Sequence, residues 1–135
     1  MAEKLKLLVV TPQKRVVDDE ADEVTLPGQL GYLGVLPGHA PLITLLKTGV
    51  LSYRNAGASE AFALGEGFAE ISNDTVTVLA DMAERPAEID AAAAERERAQ
   101  AEEEMKTASL ETLDAIRGRA ELAAARLAVA RRPEA

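Results

Sequence analysis

Along the first 86 residues, apolar positions come in short runs that alternate with polar ones and stop at turn-forming residues. Lys4-Leu5-Lys6-Leu7-Leu8-Val9-Val10 opens with polar–apolar alternation, the period-two mark of a half-buried strand. Glu23-Val24-Thr25-Leu26 repeats the pattern and meets the turn pair Pro27-Gly28. Gly49-Val50-Leu51-Ser52-Tyr53-Arg54 closes at Asn55-Ala56-Gly57, and Phe62-Ala63-Leu64 closes at Gly65. Phe68-Ala69-Glu70-Ile71 and Thr75-Val76-Thr77-Val78-Leu79 flank Ser72-Asn73-Asp74, a hairpin connection. Short strands at a spacing of about 8–12 residues predict an antiparallel sandwich or barrel.

The pattern changes at Pro86. The 49 residues after it hold sixteen alanines and one glycine, Gly118, whereas all four aromatics and eight of nine glycines lie before it. The second part reads as two helices. The first starts at Ala87, with Pro86 suited to the first turn and Glu84, Glu88 and Asp90 supplying negative charge for the helix dipole. It ends near Lys106-Thr107-Ala108-Ser109; Ser109 caps a second helix running to about Arg132, where Pro133 stops it. The short connection predicts an antiparallel hairpin. On the second helix, Leu113, Ile116, Ala120, Ala123, Ala124 and Leu127 share a face, with Leu122 and Val129 on the far side beside Arg119 and Arg126. The first helix has Ile89 and Met105 as its large apolar groups, and a seam of Ala92, Ala93 and Ala99. An alanine methyl contributes well under half of the roughly 1.5–3 kcal/mol of a buried Leu. Such a hairpin is either a moving part or a rigid unit of high helix propensity. The expected division is a β-sandwich domain over 1–86 and a helical hairpin over 87–135.

Composition narrows the function. There is no cysteine, which removes disulfides, thiolate metal sites and a cysteine nucleophile, and one histidine is little for a metal centre. A net charge of −8 opposes binding to nucleic acid and to anionic lipid. The opening Met1-Ala2-Glu3-Lys4 is too charged for a signal sequence, and no apolar run approaches the ~20 residues of a membrane span. A soluble cytoplasmic protein is the expectation. Catalytic readings fare badly. His39 has no nucleophile elbow nearby, and no phosphate-binding loop or dinucleotide fingerprint is present. Asp18-Asp19-Glu20-Ala21-Asp22-Glu23 lacks the spacing and glycine of a calcium loop and reads as a solvated acidic connection.

One run stands apart. Gly31-Tyr32-Leu33-Gly34-Val35-Leu36-Pro37-Gly38-His39-Ala40-Pro41-Leu42 holds three glycines, two prolines and the only histidine. Glycine opens backbone angles closed to other residues and proline fixes φ, so this is a connection with a definite path. Leu33, Val35, Leu36 and Leu42 give it contact with a core. His39 reads as a turn residue before it reads as a proton carrier or ligand.

That run, with Val9-Val10-Thr11-Pro12, Gly65-Glu66-Gly67-Phe68-Ala69-Glu70-Ile71, Val76-Thr77-Val78-Leu79-Ala80 and Ala83-Glu84-Arg85 in order, resembles the epsilon subunit of bacterial rotary F-type ATP synthases over nearly the whole chain. The resemblance implies a β-sandwich of about ten strands followed by an antiparallel helical hairpin, working in the central rotor stalk without an active site of its own. It implies a gamma subunit, a ring of c subunits and the alpha/beta catalytic head as partners. The place would be peripheral, on the cytoplasmic face of the inner membrane. Tyr32, Leu33, Pro37, Gly38 and His39 match the region that faces the c-ring, with Tyr32 where family members often carry an acidic residue. The alternative for Tyr32 is that it covers core at a loop.

The resemblance also implies a hairpin that lies folded on the β-domain or extends toward the head and blocks ATP hydrolysis. Arg119, Arg126, Arg131 and Arg132, with Arg117, are the candidates for contact with an acidic loop of the beta subunit; the alternative is an ordinary solvated face. Some family members bind ATP at the start of the first hairpin helix. Ile89, Asp90 and Ala94 match that motif here, with Glu84 as a further candidate and Arg126 as a compensating one, but Ala93 replaces its arginine. A charge-assisted hydrogen bond is worth roughly 1.5–3 kcal/mol, so its loss weakens binding by about ten- to a hundredfold. ATP is expected as a weak regulatory ligand or none, with Arg96, Arg98 or Arg119 as further compensating candidates. Rival readings are a free-standing nucleotide sensor and a β-sandwich adaptor with a helical arm.

Overall fold

In a computed structural model, which describes residues 3–132, the strands are β1 (Leu5–Val10), β2 (Arg15–Ala21), β3 (Glu23–Gly28), β4 (Gly31–Val35), β5 (Leu42–Leu46), β6 (Gly49–Asn55), β7 (Ala58–Leu64), β8 (Gly67–Ser72), β9 (Thr75–Ala80) and β10 (Ala83–Glu84). A 3₁₀ turn (Pro86–Glu88) leads to α1 (Ala91–Met105) and α2 (Leu110–Ala130). The strand order is β10-β7-β6-β3-β5-β8-β9-β1-β2, with β4 added to β3. Every pairing is antiparallel except β1 with β9.

Inward residues follow the period-two pattern. Leu5, Leu7 and Val9 of β1, Leu51 and Tyr53 of β6, Phe62 and Leu64 of β7, and Ile71, Val76 and Val78 of β8 and β9 form one buried cluster. The sheet folds back on itself around this core. Its two halves meet where Gly28 pairs with Leu46, and again where the Tyr53 hydroxyl reaches Asp19 across from β2. The β6–β7 and β8–β9 turns need left-handed backbone, and Ala56, Gly57, Asn73 and Asp74 supply it.

Several local expectations change. Asp18–Glu23 is not a solvated connection: it is most of β2 and the start of β3. β2 ends the strand order, so only Val17 and Ala21 turn inward and are buried, and its carboxylates protect an open edge. β3 also runs through Pro27-Gly28 before turning at Gln29 and Leu30, because Pro27 is asked only for its carbonyl, which accepts from the Lys47 N–H at 3.0 Å. The Gly31–Leu42 run begins as strand β4, and β5 follows it.

The hairpin differs in register from the expectation. Pro86 opens the 3₁₀ turn, whose first N–H, on Arg85, donates to Glu88 at 2.9 Å. Ile89 is extended, packed on a small apolar cluster, and α1 restarts only at Ala91 with Asp90 as its cap. Ala94 and Ala101 are its buried alanines; Ala92 and Ala99 are exposed. On α2, Ala124 is exposed while Ala125 and Val129 are buried against Ala61 and Ala63 of β7. The single face expected for α2 fails because the helix has two partners, α1 on one side and the sheet on the other. α2 ends at Ala130, and Pro133 lies outside the described residues.

Two glycines should respond to alanine with opposite signs. A Cβ on Gly67 would sit 2.0 Å from the Leu79 carbonyl oxygen and 2.7 Å from the Ala80 Cα, both backbone atoms. Nothing lies within 4 Å of one on Gly118, inside α2. Gly67→Ala is expected to lower unfolding stability by about 1–3 kcal/mol, and Gly118→Ala to raise helix stability by roughly 0.5–1 kcal/mol. Thermal unfolding followed by circular dichroism reads both.

Candidate functional site

Three surfaces concentrate the chemistry. The first is the outer face of β5, β8, β9 and β1. Register places Leu45 opposite Phe68, Phe68 opposite Leu79 and Leu79 opposite Val10, a row of apolar side chains across four strands. At about 4.8 Å per strand the row spans roughly 14 Å. Ile43, 70% exposed, extends it at the β5 edge; Leu45, Phe68 and Leu79 are 60, 43 and 39% exposed. The chain neighbours of these residues, Val9, Leu46, Ala69, Val78 and Ala80, are buried in the core, so strand alternation forces the row to face out. Glu70 and Thr77 are the polar groups beside it. Phe68-Ala69-Glu70-Ile71 alternates in the sequence, and that was the signal for an outward Phe68. The row itself was missed, because it exists only once the register joins four strands.

The second surface carries the residues of the Gly31–Leu42 run. Tyr32 is 56% exposed, yet its hydroxyl oxygen accepts from the Val50 N–H at 3.0 Å and occupies the space that a Cβ on Gly49 would need. It borders a cleft shared with Lys47 and with Glu121 and Ala128 of α2. Leu33, half-buried, packs on the main core. Pro37-Gly38-His39 turns at the other end of β4, with the His39 N–H bonded to Leu36 O at 3.1 Å and Gly38 in left-handed backbone. The Gly38 N–H donates to Asp74 at 2.7 Å, which ties this turn to the β8–β9 hairpin. His39 Nδ1 lies 2.6 Å from the Ala40 carbonyl oxygen. The fold therefore separates Tyr32 and Leu33 from Pro37, Gly38 and His39 by the length of β4.

The third surface is a groove of about 360 Å³ where β10, the 3₁₀ turn, α1 and α2 meet. It brings together Glu84, Ile89, Asp90, Ala94 and Arg126, together with Ala93. Arg126 is held by a two-pronged ion pair, Nε to Glu84 Oε1 at 2.6 Å and Nη2 to Glu84 Oε2 at 3.1 Å. Arg119 donates from Nε to Glu97 at 2.6 Å and from Nη1 and Nη2 to Glu104 at 3.2 and 2.8 Å. Those bonds hold the Glu104 carboxyl below its usual range and raise the Arg119 guanidinium further above its own. Asp90 accepts from the Ala93 N–H at 3.0 Å. Arg131 reaches Glu95 at 3.3 Å, Arg117 lies 3.5 Å from Asp114, and Arg132 bonds Ser59 of β7. Arg96 and Arg98 lie on α1, where Arg98 pairs along the helix with Glu95 and Glu102. Glu97 and Glu104 were absent from the sequence-based candidates. The acidic cast of α1 beside the arginines of α2 was the available signal.

Comparison with known proteins places these surfaces in context. Residues 4–86 match the family described as ATP synthase, Delta/Epsilon chain, beta-sandwich domain. The chain is 53% identical over 106 residues to an ATP synthase epsilon chain of Citrifermentans bemidjiense, covering 78% of this chain and 77% of that one. It is 49% identical over 111 residues to one of Koribacter versatilis, covering 82% and 78%. Among solved structures, a chain in the Euglena gracilis mitochondrial ATP synthase, resolved as OSCP/F1/c-ring, shares the fold with a TM-score of 0.81 at 18% identity. That match covers 90% of this chain and 78% of that one.

Proposed function

Because the chain belongs to the ATP synthase epsilon-chain family, we propose that it is a non-catalytic subunit of the rotating central stalk, coupling ion-driven rotation to ATP synthesis. The observation that carries this reading is the apolar row Leu45–Phe68–Leu79–Val10. A chain of net charge −8 keeps four neighbouring outward positions apolar only at a lasting risk of association. A permanent partner removes that risk. We assign this face to the gamma subunit. Tyr32 and Leu33, and the Pro37-Gly38-His39 turn, serve the c-ring, with tyrosine docking through apolar area and one hydroxyl.

The opposite face carries the hairpin. Folded down, it covers Ala61 and Ala63 of β7. Extended, it would carry Arg119, Arg126, Arg131 and Arg132 to an acidic loop of the beta subunit and restrain ATP hydrolysis, a task suited to the planar fork of arginine. Among the described residues no helix is long and apolar enough to cross a membrane. Attachment at the cytoplasmic face of the membrane would then come through the c-ring. A continuously paired sheet folded around one core gives such a subunit the stiffness that torque transfer needs.

Phe68→Glu places a charge in the middle of the apolar row at an exposed position, so folding should change by no more than about 0.5 kcal/mol. Binding to purified gamma subunit should weaken at least thirtyfold, the loss of a hot spot of about 2 kcal/mol; undiminished binding in a titration would reject this face. Ending the chain after Pro86 should raise ATP hydrolysis by the assembled enzyme while ATP-driven pumping stays coupled. If hydrolysis does not rise, the hairpin has no inhibitory role.

A further inference from the structure

The groove at the root of the hairpin has the shape of a ligand site and the charge of something else. Its walls carry four carboxylates, Glu84, Glu88, Asp90 and Glu97, against two guanidinium groups, Arg119 and Arg126, so two negative charges are in excess. Both arginines are already engaged. Arg126 spends its fork on both oxygens of Glu84, and Arg119 divides its donors between Glu97 and Glu104. The Asp90 carboxylate accepts the Ala93 N–H of the groove's own wall, and the Glu88 carboxylate accepts the N–H of the adjoining Arg85. An incoming phosphate would have to displace a carboxylate from an arginine and leave that carboxylate unpaired, in a site already negative.

The ion pairs also divide by what they join. Arg119 with Glu97 and Glu104, and Arg131 with Glu95, join α2 to α1. Arg126 with Glu84 joins α2 to β10, the last strand of the sheet; its side chains are 31 and 26% exposed. Arg132, just past the end of α2, makes the other side-chain hydrogen bond from the hairpin to the sheet among the described residues, to Ser59 of β7. The apolar contact beneath them is small: Ala125 and Val129 on Ala61 and Ala63, with Val50 and Ile89 at the side. The helices are thus tied to each other at several points and to the sheet at few. The chain between them, Arg85 to Asp90, is a single 3₁₀ turn and an extended residue, short enough to act as a hinge.

We propose that the Glu84–Arg126 pair is a clasp that holds the hairpin on the sheet in place of a bound nucleotide. The hairpin leaves as one unit, hinged between Arg85 and Asp90, and salt opens it while ATP leaves it unchanged. Screening has this effect because the clasp is partly exposed, and the Debye length falls from ~10 Å at 0.1 M to ~3 Å at 1 M salt. Glu84 and Arg126 are positioning residues. The inference deepens the hairpin's proposed role but is read on the isolated chain, so its failure is distinct from a failure to inhibit hydrolysis.

The chain has no cysteine, so Gln29→Cys, exposed at the β3–β4 tip, and Thr107→Cys, exposed between the helices, can be labelled uniquely in the full-length protein. Pulsed electron resonance then gives the populations of docked and detached hairpin. Moving from about 0.1 to about 1 M sodium chloride should lower the docked-to-detached ratio. Arg126→Gln at low salt should lower it by about two- to tenfold. The exchange Glu84→Arg with Arg126→Glu should restore docking and its salt dependence, and circular dichroism monitors that each variant keeps its helices. Millimolar ATP should leave the wild-type ratio unchanged. A docked population that grows with ATP, or one indifferent both to salt and to Arg126→Gln, overturns the clasp.

Discussion

Strand β7 has to be buried on both faces, and the arrangement of the molecule follows from how it does so. Phe62 and Leu64 turn inward and fill the sandwich, while Ala61 and Ala63 turn outward and are equally buried, under α2. Only small side chains allow a helix to lie that close to a sheet. Methyl-sized contacts bring little transfer free energy, on the order of 0.8 kcal/mol per buried methylene-sized group. The seat of the hairpin is therefore well shaped and weakly held. Larger residues on β7 would either push α2 away or, by burying more, fix it in place.

Weak apolar seating leaves the decision to charge. The surface pairs of this chain are individually modest, as exposed ion pairs usually are, at 0–1 kcal/mol. Their distribution matters more than their sum. α1 is acidic, α2 and the residues after it carry Arg117, Arg119, Arg126, Arg131 and Arg132, and the cross-helix pairs make the hairpin coherent. A single two-pronged pair connects it to β10. An appendage that is internally firm and externally lightly fastened can change place without unfolding. The opposite layer has the reverse character: its apolar row runs without a break across four paired strands.

The sequence told these two layers apart unevenly. β1, β6, β8 and β9 were legible because each keeps one face in the core and alternates. β2 was not, since a charged edge strand with only Val17 and Ala21 buried looks like a polar loop. β4 and β5 hid within glycine, proline and leucine, where no alternation survives. The start of α1 was misplaced because Pro86 does open a helical turn, and only the packing of Ile89 under α2 interrupts it. Val129 was assigned to the far side of α2 for want of any sign that this helix has two neighbours. The groove residues were legible through the family resemblance. That Arg119 is occupied depends on Glu97 and Glu104, which lie about two turns apart on another helix.

The central claim is that one face of the sandwich is built to stay covered by the stalk while the other seats the hairpin. Hydroxyl-radical footprinting of the chain alone and in complex with gamma subunit tests it most directly. The account predicts strong protection of Leu45, Phe68 and Leu79 on binding, with Leu110 at the hairpin tip unchanged. Equal reactivity of Leu45, Phe68 and Leu79 in the free and bound chain would contradict it.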